Sequence, residues 1–307
     1  MSRVDVVVVG SANVDHVVQV SRLPSLGETV AGNRYFTAPG GKGLNQAVAV
    51  ARQDASVALI ACLGTDEAGD QLARVLEGEG IHAGGLRRTS QSPTGLAFIA
   101  VAASGANTVV VAPLANATLT PEDIDAAAGL IAGARVLLAQ LEVPAATVAR
   151  ALQVARDAGV TTVLNPAPAP GPAWGQAIAP GLVDVLVPNE TEATELSGVG
   201  AEAAGAALGA EGCGTVVVTI GEGGALVTSR SGPSSWLVPA FAVSSVDGTG
   251  AGDAFCGALA AGLAAGEPMT AALRRAAAAG ALATTAMGAV PSLPSAAAVG
   301  SFLARSP

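Results

Sequence analysis

The stretch Val246-Asp247-Gly248-Thr249-Gly250-Ala251-Gly252-Asp253-Ala254-Phe255 runs straight into an Ala-rich apolar pattern and unites two things that phosphoryl chemistry requires. Its glycines keep bulky side chains out of the turn, so backbone N–H groups can point at one spot. The helix that begins there adds the positive end of its dipole. Asp253 brings one carboxylate to the same place, able to take a proton from a hydroxyl. That combination suits phosphoryl transfer to a small alcohol. Taken alone, the stretch reads equally well as a glycine-rich turn with Asp253 capping its helix.

Features elsewhere separate the two readings. There is no G-x-x-x-x-G-K-[ST] and no G-x-G-x-x-G after an early strand, so neither a P-loop nor a dinucleotide fingerprint is available. Every Lys/Arg position but one is Arg, and the sole lysine, Lys42, lies in Pro39-Gly40-Gly41-Lys42-Gly43-Leu44-Asn45-Gln46. That pattern suggests a place that a slender ammonium fits and a planar guanidinium does not, the alternative being chance survival of one lysine. The helix pattern over 43–53 places Lys42 near a second helix N-terminus.

Compact polar groups also recur where predicted strands end: Asn13 and Asp15, Glu142, Asn165, Asn189 with Glu190 and Glu192, and Thr219 with Gly221. Each could be an ordinary turn or cap residue. Together they mark the end of a sheet where α/β folds bind ligands. Asn and Asp suit vicinal hydroxyls, and the acidic Asn189–Glu192 run suits Mg²⁺ held through water.

The elements that must position these groups alternate. Strands are predicted over 4–10, 57–62, 136–139, 161–164, 183–187 and 215–220, with helices over 43–53, 67–79 and 145–157. A hairpin-like region covers 224–238, and helices dominate from Ala251 onward. This is the rhythm of a mostly parallel sheet covered on both faces. Two strand-rich regions break it, about 14–38, with short strands predicted over 16–20 and 28–36, and about 94–113. They are expected to form a small accessory sheet beside the strand ends, a lid on one domain spanning 1–307.

Composition narrows the class. A 307-residue chain that is half hydrophobic but only 3% aromatic must pack with Ala, Val and Leu. The formal charge is 15 − 24 = −9 without a basic tract, which argues against nucleic acid or an anionic membrane as partner. No apolar run is long enough to span a bilayer, and no signal-peptide pattern occurs, so a cytoplasmic protein is expected. Cys62, Cys213 and Cys256 read as buried reduced thiols, and two histidines exclude a histidine-rich metal site.

The motifs GSANVDH (10–16), GETVAGNRY (27–35), GGKGLNQAVA (40–49), LNPAPA (164–169), PNETEA (188–193) and DGTGAGDAF (247–255) together resemble the ribokinase-like, PfkB family of carbohydrate kinases over essentially the whole chain. The resemblance implies a ribokinase-like three-layer α/β/α fold with a β lid, and ATP-dependent phosphorylation of D-ribose at O5. It implies Asp253 as catalytic base and Gly250, Ala251 and Gly252 as an anion hole. The sugar pocket would draw on Asn13, Asp15, Gly41, Lys42, Asn45 and Glu142. ATP would meet Asn189, Thr219, Gly221, Gly224 and Gly252, with Glu192 in the Mg²⁺ network.

By the same resemblance, a monovalent cation, K⁺, would be held by Asp247, Thr249, Ala283, Ala286, Gly288 and Ser292, several through backbone carbonyls. A homodimer joined through the lid is also implied, in keeping with the edges and apolar face that a small sheet leaves uncovered. The chain departs from the pattern twice. Alanines stand around 276–279, where some relatives present a histidine to the adenine, and Leu44 replaces a common alanine. Leu44 either narrows the sugar pocket or packs beneath the helix. The helix dipole is expected to favour anionic Asp253, making it a weak base before phosphate arrives. The alternatives are a related kinase for another sugar or a nucleoside, a non-catalytic sugar- or nucleotide-binding regulator, and a hydrolase acting through Asp253.

Overall fold

A computed structural model describes residues 4–230 and 235–305. The main sheet has nine strands: β1 (Val6–Val9), β4 (Val57–Gly64), β5 (His82–Thr89), β8 (Val136–Ala139), β9 (Thr161–Leu164), β10 (Val185–Leu186), β11 (Thr215–Thr219), β12 (Ala225–Ser229) and β13 (Ser235–Val238). Their order is β13-β12-β11-β10-β9-β8-β1-β4-β5. All neighbouring pairs are parallel except β11–β12 and β12–β13. The hairpin expected over 224–238 is this antiparallel edge, and its residues 231–234 lie outside the described residues.

The sheet is the middle layer. In β1, Val6 and Val8 point into one apolar core, and Val7 and Val9 into the other. That explains why the strand reads as an unbroken valine run, since a strand buried on both faces has no polar side to alternate with. The first core is closed by the helices Lys42–Arg52, Ala251–Ala264 and Met269–Ala283, and the second by Ala145–Asp157 and Ala201–Glu211. Alanine and glycine dominate the Ala251–Ala264 helix because it packs closely on both neighbours. A Cβ on Gly257 would come within 2.4 Å of the Ala49 side chain.

The two strand-rich interruptions do meet. β2 (Asn13–Val20), β3 (Gly32–Gly40), β6 (Gly95–Ala102) and β7 (Asn107–Ala112) form a second sheet in the order β3-β2-β6-β7. β2 runs parallel to β6 and antiparallel to β3. The first interruption is shifted from its expected place, since 28–36 reads as extended but β3 spans 32–40. Register decides this. Asn13 pairs with Gly40 and Val18 with Tyr35, so β2 claims the later residues. Pro39 is tolerated because β3 is an edge strand.

One strand escaped the sequence reading. β5 carries Gly84, Gly85 and two arginines and shows no apolar run or alternation. Pairing with β4 at the sheet edge makes it a strand. Among the described residues no helix is long and apolar enough to cross a membrane.

Candidate active site

β1 lies between β8 and β4, so the chain leaves it toward one side and later builds away on the other. The carboxyl ends of β1 and β8 flank the resulting crevice, the place where open α/β sheets bind ligands. Gly10 to Asn13 leave β1 there, Gln140 to Glu142 leave β8, and Asn165 leaves β9. Two helices bring their first turns to the same place, Lys42–Arg52 after its N-cap Gly41 and Ala251–Ala264 after its N-cap Gly250 at φ 80°.

Asp253 lies in the first turn of the second helix and is only 7% exposed. It does not cap that helix. Its carboxylate faces the other one, accepting from Asn45 Nδ2 at Oδ2 and from Gln46 Nε2 at Oδ1, each at 2.9 Å. Burial raises the Asp253 pKa above its ordinary value, opposed by Lys42 and by the Gln46 and Asn45 hydrogen bonds. The expectation that the helix dipole would make this carboxylate an unusually weak base is therefore corrected. Loss of solvent around this buried carboxylate outweighs the favourable partial charges.

Lys42 faces the same space. Burial pulls its pKa down, but Asp253, Glu142 and Glu192 together hold it above the usual lysine value, so it stays an ammonium. A cavity of about 220 Å³ brings Lys42, Asp253, Gly250 and Gly252 together with Asn189, Glu192 and Thr219. A larger cleft of about 590 Å³ shares Thr219 and Gly252 with it and continues past Gly221, Gly224, Ala251, Phe241 and Phe255 to Ala277 and Gly280. It is a long, mostly apolar groove that ends in a small polar chamber. Of the alanines expected near an adenine at 276–279, only Ala277 lines the groove, and Ala276, Ala278 and Ala279 are buried in the first core.

Other expected site residues are present in structural roles. Asn189 and Glu192 form a reciprocal capping box, each backbone N–H donating to the other's side chain at 2.9 Å. The box uses Asn189 Oδ1 and Glu192 Oε2 and leaves the Asn189 amide nitrogen and one Glu192 oxygen. Cap and cavity lining thus coexist in one pair. Burial raises the Glu192 pKa, partly opposed by the Asn189 N–H and by Lys42.

Glu142 does not extend into the 220 Å³ cavity. It accepts from Ser11 Oγ at 2.5 Å and from the Lys42 backbone N–H at 3.0 Å. Asp15 stands beside it on the lid strand β2, and burial first, then Glu142 and Asp253, push its carboxyl up to about 7. Asn13 accepts at Oδ1 from Asn116 Nδ2 at 2.7 Å. Leu44 is fully buried within the first core, so it packs beneath its helix.

The residues expected around a monovalent cation form two adjoining turns. Asp247 Oδ1 accepts from Thr249 N–H and Oγ, and its Oδ2 accepts from Gly288 N–H at 2.8 Å. Thr284 O accepts from the N–H groups of both Val246 and Asp247. Ser292 Oγ donates to Ala289 O at 2.8 Å. Ala283 closes its helix and is buried, whereas Ala286 is exposed. A Cβ on Gly250 would lie 3.0 Å from Ala289 Cα, so these turns press on the glycine that starts the Asp253 helix.

Sequence reasoning missed Gln46, Gln140 and Asn116 as part of the site. Gln46 stands inside a quoted motif, but a buried amide gives no composition signal. Asn116 follows β7 and reaches the end of β1 only through the fold, where its Oδ1 accepts from Ala12 N–H at 3.0 Å. Among the described residues no group of three or more His, Cys, Asp or Glu is placed to hold a metal ion. The chain offers a divalent cation chiefly Glu192, which suits Mg²⁺ that keeps its waters and binds phosphates.

Comparison with known proteins agrees with this geometry. The family model described as "pfkB family carbohydrate kinase" matches residues 3–296. The chain is 41% identical over 259 residues to a ribokinase of Haemophilus influenzae, covering 81% of this chain and 82% of the relative. It is 36% identical over 262 residues to a deoxyribokinase of Salmonella typhi, covering 83% and 84%. The solved structure of an Arabidopsis thaliana ribokinase complexed with ribose and ATP superposes with a TM-score of 0.88 at 30% identity, covering 98% of this chain and 99% of that one. A match across nearly the whole chain, joined to a buried Asp253 at a helix start beside Lys42, places this protein in the pfkB family of carbohydrate kinases.

Proposed function

We propose that the protein transfers the γ-phosphoryl group of ATP to O5 of D-ribose, giving D-ribose 5-phosphate and ADP. The observation that supports this most directly is the junction of the two cavities. The long apolar groove suits a nucleotide, and it opens at Thr219 and Gly252 into the chamber that holds Asp253 and Lys42. The relatives named ribokinase support ribose as the acceptor.

In this reading the adenine lies along Phe241, Ala277 and Gly280, and the phosphates reach the chamber past Gly221 and Gly224. Asp253 accepts the O5 proton as O5 approaches phosphorus in line. The leaving oxygen departs with ADP. The transition state is loose, so charge stabilisation and positioning supply most of the acceleration. The N–H groups of Gly250, Ala251 and Gly252 and the Lys42 ammonium would meet the charge on the equatorial oxygens. The arriving γ-phosphate raises the proton affinity of Asp253 further, so the base strengthens when it is needed. Asn13, Asp15, Gly41, Asn45 and Glu142 would hold the sugar, with the lid sheet excluding water.

Glu192 and Asn189 would hold Mg²⁺ through its waters; when bound, the ion neutralises phosphate charge. The Asp247–Thr249 and Ala283–Ser292 turns would hold K⁺. Their tight contact with Gly250 supports a role in ordering the anion hole. The lid leaves Tyr35, Phe98 and Val110 exposed, which supports a homodimer joined there. A monomer mass by light scattering at assay concentration would overturn the dimer.

ADP release from Mg·ATP, measured with ribose, 2-deoxyribose, fructose, adenosine or no acceptor, tests the function. Turnover greatest on ribose and higher with K⁺ than with a bulky organic cation is expected. The deoxyribokinase relative favours 2-deoxyribose as the second reading, and the same panel decides between them. Silence with every acceptor would remove the kinase assignment.

A further inference from the structure

We propose that Gln46, held in one orientation by Asn165 and Gln140, is the positioning residue that aims the Asp253 carboxylate at the sugar hydroxyl. This rests on the reading of Asp253 as the base and adds a part to it.

The inference starts at a backbone carbonyl. Val187 O can only accept, so the end of the Asn165 amide 2.8 Å away is its nitrogen. Asn165 Oδ1 therefore faces Gln46, and the group opposite it at 3.1 Å is the donor Nε2. The second hydrogen of that nitrogen reaches Asp253 Oδ1 at 2.9 Å. Gln46 Oε1 is left pointing the other way, where it accepts from Gln140 Nε2. One carbonyl that cannot donate thus sets the direction of three amides, carried by the ends of β9 and β8 and the first helix of the site.

The outcome at the carboxylate is specific. Gln46 fixes one oxygen and Asn45 the other, so the carboxylate plane cannot rotate. Lone pairs not used by these two donors remain for the incoming hydroxyl proton. Gln46 and Gln140 are both fully buried, which removes water as an alternative partner.

Gln140 indicates what the arrangement serves. Its Oε1 is buried without a hydrogen-bond partner among the described residues and lies where a Cβ on Gly10 would come within 2.1 Å. A half-satisfied buried amide costs stability. A methionine of similar length would avoid that cost in a core of this kind. What only the amide supplies is a donor to Gln46 Oε1, and with it the barrier to a Gln46 flip. Flipped, Gln46 would set an oxygen against both Asp253 Oδ1 and Asn165 Oδ1.

The test compares Gln46→Leu, Gln140→Met and Asp253→Asn in the full chain, with ribose and Mg·ATP, by pH profiles of kcat and of kcat/KM. Gln140→Met removes the donor to Gln46 from a residue that does not touch Asp253 and adds no charge. Lys42, Glu142, Glu192, Asp15 and the Cys256 thiol also face Asp253 and are unchanged in both glutamine variants. We expect kcat to fall roughly 10–100-fold in each, the effect of a slightly misaimed reacting group, with ribose KM changed less than about threefold. We also expect the acid limb of the profile to move up by about one pH unit, because the carboxylate loses a donor.

If Gln140→Met does not fold, as read by thermal melting, Gln140→Leu carries the same test. A normal kcat and an unmoved acid limb in the glutamine variants, with Asp253→Asn inactive, would overturn the relay and leave the kinase reading standing. Near-normal turnover by Asp253→Asn would overturn both.

Discussion

Glu142 holds Lys42 by its backbone: the Lys42 N–H donates to Glu142 Oε2 at 3.0 Å, and Ser11 Oγ shares that oxygen. The carboxylate thereby pins the start of a helix to the ends of β1 and β8, and its charge also helps keep the Lys42 ammonium protonated. Glu142 therefore acts on both the position and the charge of the sole lysine.

Glu142→Gln keeps one acceptor oxygen but removes the charge. Ribose KM is expected to rise about tenfold and the melting temperature to fall by ~2–4 °C, since the bonds from Ser11 and Lys42 become neutral ones, each weaker by ~1 kcal/mol. Isothermal titration with ribose checks it. Unchanged affinity would confine Glu142 to a structural role.

Lys42→Arg keeps the charge and changes the shape. The cavity at this point is narrow and walled by Asp253, Glu192 and Cys256. The planar guanidinium should displace phosphate, and kcat/KM should fall by roughly 10²-fold, the scale of losing one charge-stabilising donor. Steady-state kinetics with ATP varied reads this directly. Activity within a few-fold of the parent would mean that charge alone is needed.

Asp253→Asn should lower kcat by about 10²–10⁴-fold, the usual range for a general base, while ribose affinity stays within a few-fold. Single-turnover kinetics separates the chemical step from binding.

Asp15 gives a stability signature. Its carboxyl is raised to about 7 in the folded protein, so folding favours the protonated form. The stability it contributes is full below the ordinary carboxylate value of 3.8 and is lost as pH rises through about 7. Without sugar, Asp15→Asn should melt ~2–4 °C above the parent at pH 8, with the gap closing as pH falls toward 4. A gap that does not depend on pH would refute the assignment.

Gly43 has no room for a side chain. An added Cβ would meet Gly10 C and Ser11 N at 2.5 Å, both backbone atoms that cannot step aside. Gly43→Ala should destabilise the fold by about 3 kcal/mol or more, which chemical denaturation measures. A loss below about 1 kcal/mol would show that the helix can slide away from β1.

The sequence by itself determined the layers and most of the polar cast. Apolar runs at 6–9, 136–139 and 216–218 announced strands buried on both faces, because such strands have no polar side. The glycine turn at 248–252 and the lone Lys42 pointed together to an anionic ligand, because bare N–H groups at a helix start and an ammonium both favour negative charge. Tertiary structure decided what each polar group does. Local patterns extended the strand at 28–36, but pairing with β2 moved it to 32–40. Asp253 could have capped its own helix, and only the neighbouring helix, 207 residues away in sequence, turned its carboxylate toward Gln46. Asn116, Gln140 and Gln46 gave no signal of their own, since an amide's role depends on which end meets which partner. That choice is made across 94 residues between Gln46 and Gln140, and 104 between Ala12 and Asn116. Hydrophobic period is a local property that a chain displays along its length, whereas hydrogen-bond direction is a property of contacts and exists only once the chain has folded.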